Sequence, residues 1–225
     1  MAMLTDTGLL GTAPVVNALQ ASRSPLQRVV DSGLLRCAVP RDLGGNGGGL
    51  DDLAHAAGLL QRQDPAAAAV LWAQRLAIEA LVQTFNVGLR ELWLPEFLMG
   101  SRAATLAPGG RELSAEDTGR GWLLSGRLHG VPNLPWEGFS LVAPVRLGDG
   151  NAGWVLLRSE EDGLSVHATP ETHPHEHEST QVSIHLNRVF FREDEWLGEH
   201  DLATLLSPVA EALAPCRPSA AVLNT

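Results

Sequence analysis

The 225-residue chain contains no lysine and no tyrosine; all sixteen of its basic residues are arginine. Without lysine there is no Schiff-base chemistry of the pyridoxal kind. Nor is there a phosphate loop of the G-x-x-x-x-G-K-[ST] type. Without tyrosine, a mechanism resting on a phenolic acid is excluded. Cysteine is nearly absent as well. Cys37 and Cys216 cannot form a CxxC pair, a four-thiolate zinc site or a cysteine-ligated iron–sulfur cluster. A disulfide between them is not expected, because the dense cysteine pattern of small secreted domains is missing. Positive charge is outweighed, with 16 basic against 26 acidic residues and a net charge of −10. With no basic cluster, neither nucleic acid nor an anionic membrane is expected as the main partner. The longest apolar run, Ala66 to Trp72, falls far short of the ~20 residues of a membrane span. Met1 to Val16 has neither a basic start nor a sustained apolar stretch. A soluble, cytoplasmic protein is expected.

What is present divides by periodicity. The first hundred residues carry helical spacing. Pro14 to Leu35 reads as one or two short helices interrupted at Ser24-Pro25. Leu50, Leu53, Ala54, Ala57 and Leu60 recur at three- and four-residue intervals, with acids in the first turn where the helix dipole favours them. Asp64-Pro65 is an N-cap followed by proline at the first helical position. The alanine-rich segment that follows, to about Thr84, is apolar nearly all round until Gln74 and is expected to be buried. A fourth helix runs from about Gly88 to Leu98. After Ser101 the period changes. Trp122 to Leu124, Phe139 to Arg146, Trp154 to Arg158, Leu164 to His167 and Gln181 to Phe191 read as strands separated by turn signals. Asp201 to Leu213 turns helical again. The expected class is therefore α+β. A helical domain over residues 1–102 precedes a β-barrel or sandwich over 103–200, with the start of a further helical segment over 201–225.

Few segments carry obvious chemistry. Gly44-Gly45-Asn46-Gly47-Gly48-Gly49 does not fit G-x-G-x-x-G in any register and reads as a tight loop between helices. His173, His175 and His177 would share one face of an extended chain and could hold zinc, although Pro174 and the flanking acids equally fit a solvated loop. His55 reads as a surface or interface residue. No G-x-S-x-G elbow is present, and Ser101 and Ser125 have no histidine in a recognisable local relation. No residue is assigned a catalytic or metal-ligating role.

Several segments in fixed order do carry a resemblance. They are Gly33 to Gly47 with its "G-L-hydrophobic-x-x-x-x-P-x-x-x-G-G-x-G" wording, Gln63-Asp64-Pro65-Ala66-Ala67-Ala68, Leu94-Pro95-Glu96-Phe97-Leu98-Met99-Gly100, Trp122-Leu123-Leu124-Ser125-Gly126 and Asn187-Arg188-Val189-Phe190-Phe191. Together they resemble the acyl-CoA dehydrogenase superfamily of flavoproteins over roughly residues 25–200. The resemblance implies an N-terminal helical domain, a middle β-barrel and a C-terminal four-helix domain. It implies FAD as cofactor and an acyl-CoA or similar small molecule as substrate, oxidised with hydride transfer to the flavin.

Two departures bear on function. The chain ends at Thr225, inside what would become the first of the C-terminal helices, which in the family carry the catalytic glutamate. The chain is then a fragment, or a partner chain supplies the missing domain, or it is a remnant that lost catalysis; Ala212 to Thr225 would leave an apolar face that a homo-oligomer or partner chain is expected to cover. The flavin-facing motifs also differ. Where the family has "L-T-E-P-x-x-G-S-D", this chain has Thr105-Leu106-Ala107-Pro108-Gly109-Gly110-Arg111, which puts Leu106 in place of the threonine. Where the family has "W-I-T-N", it has Gly130-Val131-Pro132-Asn133. The resemblance implies that Leu106, Val131, Pro132 and Asn133 face the flavin, with backbone contacts surviving at Leu106 and Val131. The alternative is a non-catalytic scaffold or subunit of the same fold that pairs with a full-length relative.

Overall fold

The computed structural model describes residues 23–107, 113–135, 137–148, 150, 152–168, 182–199 and 202–218. Among the described residues, five helices and eight strands run in the order helices, strands, helix. Helix α1 (Pro25–Ser32) starts at Ser24, whose Oγ accepts from Gln27 N–H at 3.2 Å, and stops at Gly33. Helix α2 (Leu50–Gln63) carries Asp51 and Asp52 in its first turn. Helix α3 (Pro65–Gln83) is the buried alanine-rich element read from the sequence. Helix α4 (Val87–Met99) is capped by Asn86 Oδ1, which accepts from Leu89 N–H at 3.1 Å.

Asp64 shows why the boundary between α2 and α3 is sharp. Its carboxylate caps Ala67 N–H at 3.0 Å and receives a two-point contact from Arg28 of α1, at 2.6 and 3.2 Å. Partial burial alone would raise this carboxyl. The Arg28 guanidinium and the Ala67 N–H outweigh burial and hold it below the usual carboxylate range. One side chain thus starts a helix and pins a second helix to it.

Alanine explains the position of α3. Ala67, Ala68, Ala73, Ala77 and Ala80 are all fully buried. Their small side chains let α1, α2, α4 and the sheet approach the same helix from several sides. Helix α3 is long and apolar enough to cross a membrane by length and composition, but it is buried inside the fold.

The strands are β1 (Ala103–Leu106), β2 (Leu113–Asp117), β3 (Trp122–Val131), β4 (Phe139–Leu147), β5 (Ala152–Arg158), β6 (Leu164–Ala168), β7 (Val182–Phe191) and β8 (Trp196–Glu199). They form one mixed sheet ordered β6-β7-β3-β2-β4-β5-β8, with β1 pairing to β4. Strands β1 and β2 lie in parallel along successive halves of one edge of β4, and β5 covers its other edge antiparallel. The alternation of side chains then sorts two cores. Leu141, Ala143, Val145, Val155 and Leu157 point into the sheet's own interior. Val142, Trp154 and Leu156 point out of it and join the helical core. The sheet curls upon itself. The Trp196 ring of β8 meets Trp122 of β3 and Phe191 of β7 edge-on, at 6.0 and 5.1 Å between centroids. Among the described residues no backbone pairing joins β6 to β8, so closure on that side rests on side chains.

Sequence boundaries changed in three places. The strand read over Trp122 to Leu124 continues to Val131, because Gly126 and Gly130 adopt positive φ at bulges and do not end the strand. Strands β1, β2 and β8 were not anticipated; β1 is only four residues long, and neither β2 nor β8 has an uninterrupted apolar run. The uncovered face expected from Ala212 onward is not found over the described residues 212–218. Helix α5 (Leu202–Ala212) and the turn Ala214–Cys216 pack onto α2 and α3, with Leu206, Val209, Leu213 and Cys216 buried. The Cys216 thiol donates to Ala57 C=O at 3.3 Å, and burial pushes its pKa up to about 11. Cys37 and Cys216 are both free thiols.

Gln74 joins the two cores. Its buried amide nitrogen donates to Phe97 C=O at 3.1 Å and Arg102 C=O at 3.0 Å. Its oxygen accepts from Ala104 N–H at 2.6 Å and from Asn133 Nδ2 at 3.1 Å. Replacing Gln74 by leucine keeps the volume but leaves several buried polar groups unpaired. Urea unfolding of Gln74→Leu is expected to show a loss of about 2–4 kcal/mol, against about 1 kcal/mol or less for an exposed control such as Gln63→Leu.

Candidate functional site

The segment after β3 turns sharply. Val131 is fully buried and paired to Val182; Pro132 follows, and Asn133 sits at φ 59°. Asparagine tolerates this left-handed conformation better than other residues with a Cβ. Here the side chain also fixes it, since Asn133 Nδ2 donates to Ala104 C=O at 3.0 Å as well as to Gln74. The turn is thereby held against β1.

A cleft of about 570 Å³ opens between this turn and the helices. One wall is Pro132, Asn133, Leu134 and Pro135, with Glu137 and Gly138 beyond. The facing wall is Ala66, Ala69 and Val70 of α3. The start of α1 at Ser24–Leu26, together with Ser101, Ala103 and Pro218, completes it. Alanine on α3 is what leaves the space open.

Of the four residues singled out from the sequence, Pro132 and Asn133 line this cleft. Leu106 and Val131 do not. The Leu106 side chain packs on the helical core, and that of Val131 fills the sheet interior. The Leu106 backbone is a different matter. Ala107 N–H donates to Val142 C=O at 2.7 Å, and Ala104 N–H turns to Gln74. Peptide groups alternate sides along a strand, so Leu106 N–H faces away from β4, on the side of Asn133. The site is therefore a strand edge and a tight turn joined by one side-chain amide, whose hydrogen bond to Ala104 C=O is 3.0 Å long. Gln74, Ala66 and Ala69 were missed as site residues. Their signal, the first polar residue and small residues inside a largely apolar helix, was read only as burial.

The other candidates separate from this cleft. The glycine loop is structural: Gly47 N–H donates to Val39 C=O at 2.9 Å, and a Cβ on Gly45 would lie 2.1 Å from Val39 O. His55 is exposed on α2. His173, His175 and His177 lie outside the described residues. Three further histidines share the outer face of β3, β7 and β6. His129 Nδ1 lies 2.9 Å from Ser183 Oγ, and His167 stacks on His185 with centroids 4.1 Å apart. Among the described residues no group of three or more His, Cys, Asp or Glu side chains is arranged to hold a metal ion.

Desolvation, then His167, Arg127 and His129, depresses the His185 pKa below 6.5. A histidine depressed in the folded state takes up its proton more readily when unfolded. It therefore contributes stability that is present above the unfolded value near 6.5 and is lost as pH falls through the folded value. Denaturation series from pH 7.5 to 5 are expected to show stability falling below about 6.5, with a shallower slope in His185→Gln. Equal slopes in the two proteins would remove His185 from this account.

No family model and no curated protein matches this sequence. Solved structures do match its fold. The ChsE4-ChsE5 complex from Mycobacterium tuberculosis aligns with TM-score 0.67 and 24% identity, over 80% of this chain and 49% of that one. PigA with FAD and proline aligns with TM-score 0.72 and 18% identity, over 88% and 56%. An acyl-CoA dehydrogenase complexed with FAD from Bacillus anthracis aligns with TM-score 0.68 and 19% identity, over 87% and 37%. The chain spans about half the length of most of the structures it matches, and less of the last. It has the acyl-CoA dehydrogenase fold over that part, as the ordered motifs implied.

Proposed function

We propose that this chain carries the flavin- and substrate-facing part of an FAD-dependent oxidoreductase built on the acyl-CoA dehydrogenase fold, acting on an acyl thioester or a related small substrate. The observation that carries the reading is the cleft beside Pro132 and Asn133, set between the end of β3 and the buried helix α3. The residues present suit the ring portion of FAD. Leu106 turns its backbone N–H away from β4, toward the edge of β1 that Asn133 also meets, and Pro132 and Asn133 line the cleft. When bound, FAD would supply a two-electron acceptor for hydride removal from substrate. The chain's own part is positional. Gln74 and Asn133 fix the turn, Ala66 and Ala69 leave room for the substrate, and the prolines exclude water from one wall. No carboxylate is assigned as the base. We propose that a further helical segment or a partner chain provides it. The free thiols suit a reducing compartment such as the cytoplasm.

A second reading is a subunit of this fold that does no chemistry and pairs with a full-length relative. It is favoured by one feature. Pro132 has no N–H and Leu106 no hydroxyl, so both side-chain and backbone donors that the family motifs supply are reduced here.

Equilibrium dialysis of the 225-residue protein against FAD, read by its visible spectrum, separates the two. The flavin reading expects a bound flavin band. It also expects Asn133→Gly, which keeps the left-handed backbone but removes the amide, to bind FAD about tenfold more weakly, equivalent to about 1.4 kcal/mol. A protein that stays colourless at saturating FAD, yet co-purifies with a longer relative, would establish the subunit reading.

A further inference from the structure

We infer that the outer face of α4 is the contact through which two copies of this chain pair, helix against helix and antiparallel. The pairing does not rest on the flavin reading. Three of the thirteen residues of Val87–Met99 are charged, and the helix is apolar on both faces. Leu94, Phe97 and Leu98 take the inner face and are buried. The outer face carries Gly88, Leu92, Pro95 and Met99, all exposed. Their spacing of four, three and four residues aligns them along one side of the helix. Leu92 is 60% exposed and Met99 52%, while Phe85 and Val87 at the start of the helix are 82% and 48% exposed.

Area and shape point to a second copy. Phe85, Val87, Leu92 and Met99 together present about 500 Å² of largely apolar surface. A stable pair buries about 800 Å² on each partner, and in homodimers about two-thirds of that is apolar. The patch therefore matches the apolar core of one such interface. The stripe is also complementary to itself. A two-fold axis between Leu92 and Pro95 sets Leu92 of each copy against Pro95 of the other. It sets Met99 over Gly88, where no side chain stands and the nearest atom to a Cβ would be Asn86 Oδ1 at 3.6 Å. The edge charges tolerate this register. Glu91 and Glu96 flank the stripe on opposite sides, and the axis offsets each from its own counterpart by about 7 Å along the helix. Antiparallel packing also brings the positive start of each helix beside the negative end of the other.

Sedimentation of the 225-residue protein between about 1 and about 200 μM tests this. The mass is expected to rise with concentration from that of one chain, 24.0 kDa, to twice that value. Leu92→Glu is expected to weaken pairing at least about thirtyfold. Leu205→Glu, at a partly exposed leucine of α5, is expected to leave it unchanged. Cysteines then read the register, in a Cys37→Ser background. Leu92→Cys is expected to cross-link to itself on mild oxidation. Gly88→Cys and Met99→Cys are each expected to stay single alone and to cross-link when mixed. These small changes on an exposed face keep the test intact should Leu92→Glu fail to fold. If another segment of this chain or a different protein covers the stripe, the purified chain stays single at every concentration and the inference is overturned. It is also overturned if Leu205→Glu is as damaging as Leu92→Glu, or if Gly88→Cys cross-links to itself.

Discussion

The Gln74 side chain is the contact on which the geometry depends. Helix α3 is contacted by all four other described helices and by β1 and β4, and Gln74 is the point where its surface turns polar. Four bonds leave one amide, reaching the end of α4, the residue before β1, β1 itself and the turn after β3. An amide has two donors and two acceptor sites, and all are engaged in a place where an unpaired group costs far more than a bond gains. The helical core and the sheet could pack against each other with many small slips. Gln74 removes that freedom because each slip would orphan a buried group.

A second joint limits rotation about the first. At the far end of α3, Thr84 donates to Leu197 C=O, and Asn86 Nδ2 donates to Asp194 C=O at 2.9 Å and Trp196 C=O at 3.1 Å. Two polar joints at separate points of one helix define its seating on the sheet. Between them lies Arg75, fully buried, with no hydrogen bond to its guanidinium and Glu79 at 3.8 Å. Burial lowers its pKa and the Glu79 charge opposes this. A single ion pair at that distance is a poor return for burying two charges, so the helix derives its seating from Gln74 and Asn86, not from its charges.

Much of this was legible in the sequence, and the rest had physical reasons to be hidden. The Asp64-Pro65 start of α3 was readable because capping is local. The burial of α3 was readable because apolar residues surround it. The order of motifs gave the fold, which no single motif could. Strand β8 was hidden because Trp196–Glu199 is held by a long-range clamp from the α3–α4 corner and has no pattern of its own. The burial of Leu213 and Cys216 was hidden because the depth of a neighbouring groove is a tertiary property. The role of Gln74 could be seen as an anomaly in a largely apolar helix, but its four partners lie 23 to 59 residues further along the chain.

Departure from the family motifs at Leu106 and Pro132 then has a consistent physical sense. Leu106 lacks the hydroxyl of the motif threonine and Pro132 lacks an N–H. What the turn keeps is fixed geometry. Proline holds φ near its required value, and Asn133 adopts the left-handed turn that follows, with its own amide tied to Ala104 and Gln74. A turn of this kind does not depend on a ligand for its shape. The same substitutions that weaken donation therefore strengthen preorganisation.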